Sequence, residues 1–371
     1  MPAKLLALCL ALAACLSAQT PKLLLTPQRL KRLQRDRERQ TDRWLNFEQR
    51  VKTVPDSPER GFELALYYAV SGDEQRGRQA IQWALAHQCK VRQVALVRDW
   101  TAPLMTEAER QQFGTHACPN YHPGAFTQLR DTYFMKRALD QESNEGSGDS
   151  GEPGLSDPEE LYAAIELSVA ERNRGGFSDV AAKYLLSFAP AELEHPTWLK
   201  HIIALALVSL KPNAQESQFL QGWAMEDRFT LREGPGVAYE FLWADPYLPG
   251  ISYQNMDPWL YDDKGLLIAR GGWSQLACWI EVSSSGTHQQ NCPPNWESQT
   301  VFFGHLTLIP VTEKCVQIER EDRNEGIILW KLNPHEKLTY TVSGANRSVE
   351  ADAAGMWRVP AEARGKVCAH K

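Results

Sequence analysis

The spacing of apolar and polar positions changes period once along the chain. From Thr26 to about Arg228 apolar residues recur at helical intervals, and from about Leu266 they gather into short runs of strand character. Phe62 to Val70 is apolar at nearly every position, which predicts a helix buried on most sides. Ala80, Ile81, Trp83, Ala84 and Leu85 instead make a one-sided stripe. The punctuation agrees with this division. Thr26-Pro27, Ser57-Pro58 and Ser156-Asp157-Pro158 set a capping side chain before a proline at the first helical position. Ser71-Gly72-Asp73 stops one helix and opens the next, and Thr106 with Glu109 reads as a capping box. Antiparallel helix pairs on short turns are the economical packing for such a series.

In the second part, Leu266 to Arg270, Cys278 to Val282, Val301 to Pro310, Cys315 to Glu319, Ile327 to Leu332 and Leu338 to Val342 are β-rich runs separated by Gly, Pro and Asn. They predict an antiparallel β-sandwich, with further short strands between Leu338 and Lys371 that either close it or form an appended unit. At 371 residues the chain exceeds what one core usually serves. The expected fold class is therefore α+β multidomain: helices over residues 22–240, a connector at 241–265, and β structure over 266–371. A Pro-, Gly- and aromatic-rich join makes the cleft between two such domains the expected place for a ligand.

Charge modifies this picture locally. Forty Lys and Arg against 46 Asp and Glu give a net charge of -6, which leaves no global basic field for nucleic acid. The first helical stretch is an exception: Arg29, Lys31, Arg32, Arg35, Arg37, Arg39, Arg43, Arg50 and Lys52 face only Asp36, Glu38, Asp42 and Glu48. That pattern predicts a solvated outer helix, or otherwise a face for a polyanion. Asp140 to Glu160 holds eight acids and no base around a Gly/Ser run, and reads as a flexible loop within the helical part (140–157), either a lid or a surface insertion.

Met1 to Ala18 has one early cation, Lys4, and an apolar run too short to span a bilayer, as in a secretory signal. Two processing readings stay open: a lipid anchor on Cys15 after Leu12-Ala13-Ala14, or plain cleavage after Ala18. Both predict an exported protein, in the periplasm, outside the cell or anchored in a bacterial envelope. Six cysteines remain, and Cys89 with Cys118 is the natural first disulfide, because both lie in the helical part. The other four stay unpaired at this level.

No phosphate loop, Rossmann glycine fingerprint, zinc-protease helix or serine-esterase elbow occurs, and the nine His are too scattered for a metal site, so neither cofactor nor metal is expected. Twelve Trp among 35 aromatics are the unusual feature, since Trp serves both as core and as a flat platform for sugar rings. The densest aromatic and polar text runs from Arg232-Glu233-Gly234-Pro235-Gly236 through Tyr239, Glu240, Trp243, Tyr247, Tyr253 and Asn255 to Trp259.

That segment, with Leu-Leu-Thr-Pro-Gln-Arg-Leu at Leu24 to Leu30, the Ser71-Gly72-Asp73 break, Val97-Arg98-Asp99-Trp100 and Leu266 to Trp273, resembles the heparinase II/III and alginate-lyase superfamily. The resemblance covers most of Leu23 to about Pro310. It implies an incomplete α/α toroid followed by a β-sandwich, a polysaccharide as partner, and β-elimination at a uronate. In that chemistry the C5 proton becomes acidic once the carboxylate charge is masked, and a base and an acid then meet C5 and the O4 leaving group.

Carried over by motif, Tyr239 matches the proton-transferring Tyr, His288 the start of a Gly-His-Gly-His-x-Asp segment, and Asn120 with His122 an Asn-His pair. Arg232 and Asn120 are the candidates to meet the carboxylate, and Glu240, Trp243, Tyr253, Asn255, Trp259 and Trp296 those to hold sugar. The chain departs from the pattern after His288, where Gln289-Gln290-Asn291 replaces the second His and the Asp. A non-catalytic glycan-binding or scaffold protein is thus the alternative, and a hydrolase using Glu233 and Glu240 a third.

Overall fold

A computed structural model describes residues 21–113, 118–139, 158–171, 186, 197–226, 236–262, 265–274, 276–319 and 326–370. The expected signal, the acidic loop 140–157, and Arg232 and Glu233 lie outside them. The described residues form an α+β protein with eleven α-helices and three four-stranded sheets. Two compact units divide it: Met1–Gly175, Thr197–Pro212 and Ala224–Leu248 in one, Gly176–Pro196, Asn213–Trp223 and Pro249–Lys371 in the other.

The helical unit contains α1 (Pro27–Glu38), α2 (Asp42–Thr53), α3 (Arg60–Ser71), α4 (Glu74–Ala86), α5 (Val91–Trp100), α6 (Glu107–Gln112), α7 (Ala125–Ala138), α8 (Pro158–Glu171), α9 (Thr197–Ser209) and α11 (Gly236–Trp243), while most of α10 (Gln215–Glu226) belongs to the other unit. Helix packing closes on itself: α2 touches α3, then α5, α7, α8, α9 and α11 follow, and α11 returns to α2. The local signals explain several of the ends. Thr26 caps α1, the Thr106 box opens α6, and Gly72 ends α3 in the left-handed region at φ 75°, where glycine has no Cβ to clash.

Two expectations are corrected here. The basic stretch is two helices, because Gln40 turns at φ 51° and the Thr41 hydroxyl caps α2. Nor is it simply solvated: Arg43 donates to the Glu240 and Phe241 carbonyls at 2.9 Å, Arg32 pairs with Asp245 at 2.8 Å, and Arg29 lies over the Trp243 ring. These arginines satisfy the carbonyl end of α11, where cations are favoured. At Ser57-Pro58 the helix starts later, at Arg60, because the Ser57 hydroxyl is engaged by Arg50 and Glu63 instead of capping.

The second unit carries β1 (Trp259–Asp262), β2 (Leu266–Arg270), β3 (Trp279–Ser283) and β4 (Gly286–Gln290) in one sheet. β5 (Val301–Phe303), β6 (Leu306–Pro310), β8 (Gly326–Trp330) and β11 (Trp357–Val359) form another, and β7 (Cys315–Ile318), β9 (Lys337–Val342), β10 (Ala345–Glu350) and β12 (Gly365–His370) a third. The sheets are not purely antiparallel as expected: β6 and β8 pair in parallel, because β7 between them in sequence joins a different sheet.

β8 is buried along its whole length. Ile328 and Trp330 enter a core with Leu267, Ile280 and Phe303, whereas Ile327 and Leu329 enter a second core with Ile318, Leu338 and Val367. A strand apolar on both faces is what a middle layer requires. Gly222 lets the chain after Pro249 press onto α10, since a Cβ there would meet the Ile251 carbonyl oxygen at 1.8 Å. Disulfides join Cys89 to Cys118, Cys278 to Cys292 and Cys315 to Cys368, pairings suited to an oxidising, exported environment. Among the described residues no helix is long and apolar enough to cross a membrane.

Candidate functional site

A cavity of about 940 Å³, at the upper end for a small-molecule site, lies wholly within the helical unit. Its wall is built from one end of the closed helix succession. Glu59 before α3, Val91 to Gln93 opening α5, Thr127 and Arg130 in α7, Glu159 and Tyr162 in α8, and Tyr239 in α11 all come from the first two turns or the N-cap of their helices. Each such end carries partial positive charge, but the Phe126 and Thr127 N–H groups of α7 already donate to Glu160 and the Phe62 N–H of α3 to Gln93, and the carbonyl end of α4 at Leu85 and Ala86 lines the same cavity.

Arg92 is the centre of this wall. Its Nε and one Nη donate to the two Glu166 oxygens at 2.7 Å each, a bidentate pair with a fully enclosed carboxylate. Its other Nη donates to Glu59 at 3.0 Å and to the Tyr239 hydroxyl at 3.2 Å. Burial alone would lower Arg92, but Glu166 and its neighbours hold it well above the usual arginine range, so the cation is permanent. Arg130 adds a second cation, shared between Asp131 at 2.8 Å and Glu166 at 3.4 Å, and Asp131 also accepts from the Tyr121 hydroxyl.

Tyr239 stacks on Phe62, with ring centroids 5.2 Å apart, and keeps part of its surface on the cavity. Burial raises its phenol well above the ordinary value against the opposing pull of Arg92, so it stays protonated at neutral pH. Glu59, hydrogen-bonded to Tyr239, is also raised by burial, with Arg92 opposing. The pair is a phenol able to give a proton beside a carboxylate more basic than usual.

The remaining sequence candidates distribute as follows. Asn120 is exposed on the rim of the same cavity, and His122 lines an adjacent one. Glu240 follows Tyr239 in α11 but does not line the cavity. His288 stands in the exposed edge strand β4, opposite Glu281. Tyr253, Asn255, Trp259 and Trp296 belong to the second unit, where Tyr253 packs edge-on against Trp223 and Trp273 and the Arg358 guanidinium covers Trp259.

Two platform assignments are corrected. Trp243 is 1% exposed, donating to the Tyr162 hydroxyl, and Trp296 is 3% exposed, stacked on Trp330, so neither offers a face to a sugar. Arg92, Glu166, Glu59 and Arg130 were missed. The available signal was a charge inside an apolar run, Arg92 in Val91 to Val97 and Glu166 in Leu161 to Val169, which a buried partner must explain.

Fold and site together define an α+β protein, disulfide-bonded, with a mainly apolar cavity into which Glu59, Arg92, Arg130 and Tyr239 converge. No family model matches the chain, and no curated protein matches it.

Proposed function

We propose that the protein is an exported polysaccharide lyase-like protein that takes an acidic, uronate-containing glycan in the cavity of the helical unit. The closed helix succession and stacked sheets support the toroid-plus-β-sandwich reading of the resemblance. The observation that carries the functional reading is the Tyr239 hydroxyl on the cavity wall, held by Arg92 and hydrogen-bonded to Glu59.

In the proposed reaction Glu59, ionised, takes the C5 proton and the C4–O bond breaks as the C4=C5 double bond forms. Tyr239 supplies a proton to the departing oxygen. Asn120 and Lys90 on the rim, with the helix N-termini, offset the uronate charge. Among the residues proposed from sequence, His288 has no part in this scheme. Incubation with a panel of uronate polysaccharides, following the ultraviolet absorbance of the unsaturated product, tests it. A rise that disappears in Tyr239→Phe supports the scheme, and an undiminished rise in that variant refutes it.

A second reading, glycan binding without turnover, is favoured by the saturation of the network. Arg92 already spends both edges on Glu166, Glu59 and Tyr239. It expects measurable binding of a uronate glycan with no absorbance change.

A further inference from the structure

A second cavity of about 570 Å³ adjoins the first and shares Val91, Tyr121 and Asp131 with it. Its other wall is one side of α7, where Gln128, Thr132, Met135 and Lys136 follow at helical spacing, closed by His122 and Pro123. Tyr121 is the partition. Its hydroxyl is tied to Asp131, which Arg130 holds in turn, so the ring stands fixed between the two spaces.

The segment carrying Tyr121 and His122 is also fastened covalently, since Cys118 at its start is bonded to Cys89 on the rim of the first cavity. A wall fixed by a disulfide and a buried ion pair is a preorganised surface, which lowers the cost of binding. Its chemistry is mixed: an aromatic face, an apolar Met, neutral donors on Gln128 and Thr132, the Asp131 carboxylate engaged by Tyr121 and Arg130, and the cationic Lys136 and the His122 ring on the lining. Those groups suit a sugar ring bearing an anionic substituent.

We infer that this second cavity is a binding subsite for the sugar units that follow a disaccharide held in the first cavity, with Tyr121 at the boundary between the two spaces and Lys136 and His122 facing an anionic group of the acidic chain. The inference rests on the glycan reading of the first cavity and extends it to substrate size: the preferred ligand is an oligomer spanning both spaces. His122 thereby becomes a binding residue instead of the catalytic partner expected from the sequence.

The test is calorimetric titration of oligogalacturonates, as di-, tetra- and hexasaccharides, into full-length protein carrying Tyr239→Phe so that the ligand survives. With both cavities used, the tetrasaccharide binds at least about tenfold tighter than the disaccharide, a gain of about 1.4 kcal/mol. Thr132→Trp, which fills the second cavity from an exposed position of α7, removes that gain while leaving disaccharide affinity unchanged. Lys136→Gln reduces the gain and flattens its dependence on salt.

Equal affinities for all lengths, or a length gain that survives Thr132→Trp, overturn the subsite and leave the first-cavity reading standing. Absence of binding by every oligomer overturns both. A fall in disaccharide and tetrasaccharide affinity by the same factor in Thr132→Trp would also count against the subsite, because it would mark a general disturbance of the helical unit.

Discussion

Replacing Glu166 with glutamine probes the ion-pair network that shapes the cavity wall. The carboxylate is fully enclosed and accepts two Arg92 donors at 2.7 Å each. Glutamine keeps the shape but offers one acceptor and one N–H donor. One charge-assisted hydrogen bond is lost, about 1.5–3 kcal/mol, and an arginine N–H is left facing an amide N–H, a further 1–3 kcal/mol or about that.

Breaking a buried ion pair generally costs about 3–5 kcal/mol. Glu59 and Asp131 still face the two arginines in the variant, which places the expected loss in the lower part of that range, about 3 kcal/mol. For a domain of roughly this size each kcal/mol moves Tm by about 2–4 °C, so a fall of about 6–12 °C is expected. Thermal and urea unfolding followed by far-ultraviolet circular dichroism, which reports the helices, measures it. A loss below about 1 kcal/mol, the range of solvated surface pairs, would refute the argument that Glu166 is held in a dry interior.

Glu59 and the disulfides give further predictions. Because burial raises the Glu59 carboxyl, a reaction using it as base should gain rate as pH rises through an interval above the ordinary glutamate range. Glu59→Gln should abolish that limb together with most of the rate, and a limb that persists in the variant excludes Glu59 as the base. The sign for stability is opposite: a raised folded-state carboxyl stabilises the fold while protonated, and that contribution is lost as pH climbs through its folded-state pKa. On the chain-entropy account, opening Cys315–Cys368, Cys89–Cys118 and Cys278–Cys292, at separations of 53, 29 and 14 residues, should cost about 4, 3.5 and 3 kcal/mol in that order. Urea midpoints of the paired Cys→Ser variants measure the ranking, and a reversed order would show that native-state contacts outweigh loop length.

Much of the local architecture was legible in the residues themselves. The Thr26 and Thr106 caps, the Gly72 stop and the strand run at 266–270 depend on interactions reaching only a few positions along the chain, whereas the expected run 301–310 is two antiparallel strands, Val301–Phe303 and Leu306–Pro310, turned at Gly304. Signals that needed a distant partner misled. Ser57-Pro58 has the form of a helix start, but Arg50 and Glu63 claim the serine. Trp243 and Trp296 sit in text that reads as a sugar platform, yet packing encloses both.

The α-then-β order, several element ends, the Cys89–Cys118 pairing and the choice of Tyr239 and Asn120 as polar candidates follow from the residues alone. Long-range packing is what brings Tyr239 to Arg92 from 147 positions away and Glu166 to it from 74, and what makes β8 a middle layer with a core on either side. The reason is physical. A cap or turn is worth its energy against the adjacent backbone, whereas the free energy of a buried charge or a two-faced strand is set by whatever long-range packing brings against it.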